Sequence, residues 1–246
     1  MTARGRSGGS SPRVTICLVT DRRRLAPADA PLDASRRCLV AQARHAAAAG
    51  VDLLQLRERD LDAADLAALV VDLVAVTRGT GTRVIVNDRL DVAIACGAGG
   101  VHLRGDSIAV EAARRVAPPG FLIGRSVHGV DDAAHAAGAD YLIAGTVFAS
   151  QSKSAGGALL GLEGLRAVAA ATAAPVLAIG GITEGRFDEV ANSGAAGIAA
   201  IGLFMTPGIS GRDAASSSCR AMPLHDVVSA ARSRFDRVVR AADRPW

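Results

Sequence analysis

Eight apolar, β-branched runs alternate with eight helix-like stretches between residues 14 and 242, and this alternation predicts an α/β chain closed into a single (β/α)8 TIM barrel. Strict alternation calls for parallel strands joined by crossover helices. Eight units in a 246-residue chain argue for a closed barrel over an open sheet. A second observation is an internal echo. Ala-Gly-Val-Asp (49–52), Gly-Ala-Gly-Gly (97–100), Gly-Ala-Asp-Tyr (138–141) and Gly-Ala-Ala-Gly (194–197) each end a helix and open an even-numbered strand. Glycine in that place predicts a helix C-cap, and recurrence every second unit fits a fold of repeated (β/α)2 pieces. The third observation is a glycine at the C-terminal end of each of the last two strand runs, where such barrels grip phosphate.

The elements follow in order. Residues 14–20 (Val-Thr-Ile-Cys-Leu-Val-Thr) read as the first strand, and a polar, proline-containing loop leads to a helix over about 36–49. The second strand covers about 53–58 and its helix about 62–77. The third, 83–87, precedes a short helix after Asp88. The fourth, 100–103, leads to a helix from about 108, and the fifth, 122–126, to a helix at 130–137. The sixth runs from Tyr141 to Phe148, and a polar loop at 149–161 precedes a helix at 162–172. Pro175-Val-Leu-Ala-Ile-Gly-Gly-Ile182 is the seventh strand with its glycine pair. Proline suits the first position of such a strand, and the glycines allow close backbone approach with N–H groups turned to an anion. A helix at 184–193 separates it from the eighth strand, Gly197-Ile-Ala-Ala-Ile-Gly-Leu-Phe204. A Gly/Ser-rich loop at 206–223 leads to a final amphipathic helix at about 224–242. The barrel domain is thus 13–246, behind a disordered tail at 1–12.

Composition narrows the function. Half the residues are apolar, and net charge is +4, gathered in Arg22-Arg23-Arg24, Arg36-Arg37 and the two ends rather than in one stripe. One Trp, one Tyr and five Phe give little stacking surface for single-stranded nucleic acid, so no nucleic-acid partner is expected. The charge gives mild support to anionic small substrates. Cys17, Cys38, Cys96 and Cys219 form no C-x-x-C pair and read as free thiols of a reducing compartment. No apolar run reaches about 18 residues, and the Gly/Ser/Arg-rich start has no apolar core. A cytoplasmic protein with no membrane partner is the expectation, its oligomeric state open to a homo-oligomer.

The C-terminal strand ends are where this architecture places chemistry. The second strand offers Gln55, Arg57 and Arg59 at alternating positions, predicted to face one way. The third offers Asn87 and Asp88, which in isolation read equally well as a helix N-cap. The fourth offers His102, then Arg104, Asp106 and Ser107; His102 lies mid-strand and reads as a satisfied core histidine. The fifth offers Ser126 and His128. His128, at the strand end and able to change charge near neutrality, is the candidate acid–base group. The sixth leads into Ser150, Ser152 and Lys153. Gly180, Gly181, Ile201 and Gly202 complete the rim. Basic and hydroxyl groups from five strands converge there, which points to a phosphorylated ligand.

Taken in order, Gln55-Leu-Arg-Glu-Arg59, Asn87-Asp-Arg89, Gly100-Val-His-Leu103, Gly124-Arg-Ser-Val-His128, the 145–153 segment Gly-Thr-Val-Phe-Ala-Ser-Gln-Ser-Lys, Gly161-Leu-Glu-Gly164, Ala178-Ile-Gly-Gly-Ile182 and Gly197-Ile-Ala-Ala-Ile201 resemble the thiamine phosphate synthase/TenI family over about 14–205. The resemblance implies one of two reactions. In the synthase branch a pyrimidine methyl diphosphate loses diphosphate with Mg²⁺, and a thiazole phosphate nitrogen attacks the resulting cation. Gln55, Arg57, Arg59 and Asn87 would then line the pyrimidine diphosphate site. Ser150, Ser152 and Lys153 would hold diphosphate, and the amides of Gly181, Ile201 and Gly202 the thiazole phosphate. Asp88, with Asp106, would be the metal ligands. In the tautomerase branch a thiazole carboxylate phosphate becomes aromatic by a proton shift at His128, with no metal or other cofactor.

The sequence departs from the synthase pattern in two places. Arg59 replaces a lysine, and Arg104-Gly-Asp-Ser107 replaces Gly-Gln-x-Asp, so that Ser107 falls where a metal-binding carboxylate belongs and Asp106 lies one residue early. Arg-Glu-Arg and Gly-Arg-Ser-Val-His favour the TenI-type tautomerase, which is the leading expectation. The synthase is the alternative, supported by Asp88 and the Ser-x-Ser-Lys loop. A non-catalytic ligand-binding or regulatory barrel is the second alternative.

Overall fold

The computed structural model describes residues 14–27, 29–149, 158–205 and 224–242. Eight parallel strands close in sequential order: β1 (Thr15–Val19), β2 (Leu53–Leu56), β3 (Arg83–Asn87), β4 (Gly100–Leu103), β5 (Leu122–Val127), β6 (Tyr141–Gly145), β7 (Val176–Ile179) and β8 (Gly197–Ala200), with β8 pairing back to β1. Between them run α1 (Leu32–Ala48), α2 (Ala63–Thr77), α3 (Leu90–Ala95), α4 (Val110–Val116), α5 (Val130–Ala134), α6 (Gly161–Ala170) and α7 (Phe187–Asn192), and α8 (Leu224–Ala242) ends the order. The expected tail at 1–12 and loop at 206–223 lie outside the described residues. Among those described, no helix is long and apolar enough to cross a membrane.

Side-chain alternation on the strands divides the apolar residues into two sets. Cys17, Val19, Leu53, Ile85, Tyr141, Ile143, Leu177 and Ala199 fill the barrel interior. The remainder of the buried apolar residues, among them Leu18, Leu54, Val86, Val101, Ile123 and Ala178, pack between strands and helices. Cys17 is buried, whereas Cys38 and Cys96 are half-buried; all three are free thiols.

The repeated helix endings have a common geometry. Gly50, Gly97, Gly138 and Gly194 adopt φ of +82°, +69°, +83° and +84°, the left-handed conformation that glycine takes without a Cβ penalty. Two residues after each, the chain donates its amide to the preceding strand's carbonyl: Asp52 to Ile16, Gly99 to Val84, Asp140 to Ile123 and Ala196 to Val176, at 2.8–3.0 Å. Where that residue is aspartate, its carboxylate also accepts the odd strand's amide, from Ile16 at 2.8 Å and from Ile123 at 2.6 Å. Arg232 and Arg114 neutralise these two carboxylates. This end of the barrel is therefore fixed by polar ties, leaving the opposite rim for ligands.

Several strands are shorter than the apolar runs suggest. β2 stops at Leu56, because the Arg57 amide donates to the Thr20 hydroxyl (3.0 Å) instead of to a neighbouring strand. β8 stops at Ala200, and residues 202–204 turn into a 3-10 segment whose Phe204 carbonyl is held by Gln42 of α1 (3.2 Å). β6 ends at Gly145, after which Val147 and Phe148 donate to the carbonyls of Ile179 and Gly180. The helix expected at 184–193 splits into a 3-10 turn at Glu184–Arg186 and α7, and α1 begins at Leu32, earlier than expected.

Candidate active site

Gln55, Asn87, His102 and Ser126 point into the barrel at the C-terminal end of β2 to β5. Gln55 is 3% exposed, and its Nε2 donates to Asn87 Oδ1 at 3.1 Å. Its Oε1 is buried with no hydrogen-bond partner among the described residues. A buried amide oxygen without a donor is costly and reports a place for a ligand donor. His102 is a buried core histidine as its mid-strand position suggests: Nε2 lies 2.8 Å from Ser126 Oγ and Nδ1 3.3 Å from the Tyr141 hydroxyl.

Arg57 and Arg59 do not form the one-faced stripe expected of a longer strand. They follow β2, Arg57 half-buried and Arg59 exposed. Their neighbouring carboxylates are engaged elsewhere. Glu58 turns away to accept the Thr20 hydroxyl (2.7 Å), the Arg22 amide (3.0 Å) and the Arg22 guanidinium (3.0 Å), and Asp60 also pairs with Arg22. Among the described residues neither Arg57 nor Arg59 makes an ion pair. Burial, then the charges of Arg59 and Arg104, holds the Arg57 pKa below the usual guanidinium value. A half-buried guanidinium with no ion pair, as at Arg57, is costly unless an anion meets it, and the exposed Arg59 beside it adds to the positive charge there.

The candidate metal ligands sit around a guanidinium. Asp88 is no helix cap: α3 starts after Arg89, and Asp88 adopts φ +65° with its amide bonded to the His102 carbonyl (2.9 Å). Its carboxylate accepts the Ser107 hydroxyl and lies 3.5 Å from Arg104 Nη1, while Nη2 of the same arginine pairs with Asp106. One cation thus already serves both carboxylates. Among the described residues no cluster of three or more His, Cys, Asp or Glu is placed to hold a metal. Mg²⁺, which keeps waters and substrate phosphate oxygens, needs only one or two carboxylates, so the donor set fits it when Arg104 turns aside.

His128 is exposed beyond β5. Its amide donates to Asp132 (2.7 Å), and its Nδ1 bonds the Gly145 carbonyl, an acceptor only. Nδ1 therefore donates, and Nε2 is the ring nitrogen left to face solvent or ligand.

Across the rim, Gly180 and Gly181 adopt φ of +99° and +62°. A Cβ on Gly181 would lie 2.5 Å from the Ala149 carbonyl, so no other residue fits beneath the strand 6 segment. Arg186 donates to the Gly181 carbonyl (2.8 Å) and its guanidinium stacks 4.1 Å from the Phe148 ring centroid. Among the described residues the amides of Gly181, Ile201 and Gly202 donate to no acceptor, as a phosphate cup requires. Sequence reasoning missed Arg24, whose two terminal nitrogens would lie 3.7 Å from a Cβ at Gly202. The Arg22-Arg23-Arg24 run hid it: the first arginine is structural, and only the third reaches the cup. Ser150, Ser152 and Lys153 lie outside the described residues. A cavity of about 530 Å³ lined by Arg36, Arg37, Arg44 and Asp72 lies between α1 and α2 on the outer surface, away from this rim.

The model of the thiamine monophosphate synthase (TMP-TENI) family matches residues 18–204. This chain belongs to that family. It is 43% identical over 204 residues to a protein of Methanoregula boonei named thiamine-phosphate synthase, covering 82% of this chain and 87% of that one. A Methanoculleus marisnigri protein of the same name is also 43% identical, over 201 residues and 81% and 87% of the two chains. A solved thiamine phosphate pyrophosphorylase from Pyrococcus furiosus superposes with TM-score 0.71 at 29% identity, covering 93% of this chain and 98% of that one. The family and the barrel are as the sequence motifs imply. The names of the relatives favour the synthase, the alternative expectation, over the leading tautomerase reading.

Proposed function

We propose that this family member is a thiamine phosphate synthase, joining a pyrimidine methyl diphosphate to a thiazole phosphate and releasing diphosphate. One observation supports this over the tautomerase most directly: among the described residues Arg57 and Arg59 make no ion pair, in addition to the Gly181 and Gly202 amides that donate to no acceptor. Isomerising a thiazole carboxylate phosphate brings one phosphate and one carboxylate to the rim, whereas joining the two substrates brings a diphosphate and a phosphate, a larger negative charge for the two arginines to meet.

In this reading the Gln55 Oε1 accepts from the pyrimidine amino group, Arg57 and Arg59 draw the diphosphate, and the cup holds the thiazole phosphate. The carbon–oxygen bond to diphosphate breaks with its electron pair leaving on oxygen, and the thiazole nitrogen supplies the pair for the new carbon–nitrogen bond. No proton crosses. The residues that would hold Mg²⁺ are Asp88 and Asp106, where the ion would supply charge neutralisation for the leaving diphosphate. Arg104 lies against both carboxylates and competes for them.

His128 separates the two readings. A free Nε2 able to take and return a proton is what a tautomerase requires, and the coupling reaction has no use for it. His128→Asn should leave coupling of the two substrates within about threefold of the parent protein, since a rim hydrogen bond contributes little. A parent protein that does not couple the two substrates but isomerises the thiazole carboxylate phosphate, in a reaction that His128→Asn abolishes, would instead restore the tautomerase.

A further inference from the structure

The barrel interior holds a polar chain that the coupling reaction does not itself require: Tyr141, His102 and Ser126, on three adjacent strands. Tyr141 is 4% exposed and His102 2%. The two rings stack with centroids 5.6 Å apart. Room for this stack is built into β5. A Cβ at Gly124 would lie 2.2 Å from Tyr141 Cζ and 2.5 Å from its hydroxyl, so only glycine admits the tyrosine at that depth.

The direction of the hydrogen bonds follows from counting protons. The imidazole is buried between two neutral hydroxyls with no carboxylate among its hydrogen-bond partners, so nothing there holds a second ring proton; burial raises the pKa of Tyr141. At neutral pH the imidazole therefore has one N–H and one lone pair, and the phenol keeps its proton. Among the described residues His102 is the hydrogen-bond partner of the Tyr141 hydroxyl. Were Nδ1 to donate to it, the phenol proton would be buried with no acceptor, the costlier kind of orphan. With the phenol donating to Nδ1, the remaining proton sits on Nε2 and is donated to Ser126 Oγ, 2.8 Å away. The serine proton then has to point elsewhere, from a half-buried side chain near the C-terminal end of β5.

We propose that Tyr141 and His102 are positioning residues that fix Ser126 as a hydrogen-bond donor toward the substrate, so that the site selects a heterocycle presenting a ring-nitrogen acceptor beside an amino donor. The amino donor is met by the orphan Gln55 Oε1. The chemical identity of the heterocycle, a pyrimidine methyl diphosphate, rests on the proposed function; the direction of the relay does not.

The test uses the full chain labelled with ¹⁵N-histidine. Long-range ¹H–¹⁵N spectra at pH 7 should show His102 protonated at Nε2 and bare at Nδ1. In Tyr141→Phe, where no phenol selects the tautomer, the two nitrogen shifts should move toward a mixture. Calorimetric titration of that variant should show about tenfold weaker binding of pyrimidine methyl diphosphate and unchanged binding of thiazole phosphate. In a Ser126→Ala background the Tyr141→Phe change should have no further effect. A wild-type His102 protonated at Nδ1, equal weakening of both ligands, or additive effects of the two substitutions would overturn the relay. If the parent protein binds neither ligand, the proposed function fails, and the tautomer spectrum alone then upholds or overturns the relay.

Discussion

His102 and Glu58 show how single buried groups tie this molecule to pH. The folded pKa of His102, about 3, lies far below the ordinary histidine value. Between those two values the unfolded chain binds a proton that the folded chain refuses, so folding weakens as pH falls from about 6.5 toward 3. Glu58 acts oppositely: burial outweighs its hydrogen bonds and raises its pKa, so its contribution improves as pH falls toward its ordinary range. Urea unfolding midpoints measured from pH 7 to pH 4.5 should therefore decline for the parent protein and decline less for His102→Gln, the difference isolating the histidine because Glu58 is common to both. Equal slopes would place the imidazole in a far wetter site. Gly181 is a second residue-level case. Its φ of +62° and the 2.5 Å approach to the Ala149 carbonyl leave no space for a methyl group. Gly181→Ala should lower the melting temperature, by a stability loss of about 1–3 kcal/mol, and raise the KM for the thiazole phosphate. An unchanged KM would remove the glycine pair from the phosphate cup.

At the scale of elements, the loops after β1 and β2 act as one unit. Arg22 in the first loop is buried and binds both Glu58 and Asp60 in the second, while Thr20 accepts the Arg57 amide. The arrangement consumes the carboxylates that would otherwise neutralise Arg57. Glu58→Gln should destabilise the fold by about 2–4 kcal/mol, read from denaturant midpoints, because Arg22 would remain buried with one carboxylate fewer. The loop after β4 has its own consequence. Ser107 donates to Asp88 where a second carboxylate would give a stronger cation site. Ser107→Asp should lower the Mg²⁺ concentration needed for half-maximal turnover several-fold. An unaltered requirement would place the ion away from Asp88. These loops also mark where sequence reading reached its limit. Glycines ending each second helix were legible because a left-handed residue there has one common occupant. Strand ends were not, because the Thr20 hydroxyl and the Gln42 amide, which terminate β2 and β8 pairing, come from distant parts of the chain. For the same reason Gln55, Asn87, Ser126 and the glycine pair could be placed on the rim from spacing alone. The fate of Glu58 and the place of Arg24 could not, since each depends on which of three consecutive arginines turns inward.

The described residues form a barrel with one end tied by Asp52–Arg232 and Asp140–Arg114 and the other carrying guanidinium groups and amides that, among those residues, donate to no acceptor. A rim of this charge suits anionic ligands, and in the proposed reading Arg57 with Arg59 and the glycine amides would each meet one phosphorylated partner. The expectation of a tautomerase arose from short motifs around Arg59, Ser107 and His128. The relatives named synthases match along four fifths of the chain, which weighs against a reading taken from three positions. The most direct measurement incubates the full chain with pyrimidine methyl diphosphate and thiazole phosphate, with and without Mg²⁺, and follows thiamine phosphate and diphosphate together. Equimolar formation of the two, dependent on Mg²⁺, is the expected result. Neither product, with the thiazole carboxylate phosphate isomerised in a reaction that His128→Asn abolishes, would contradict it.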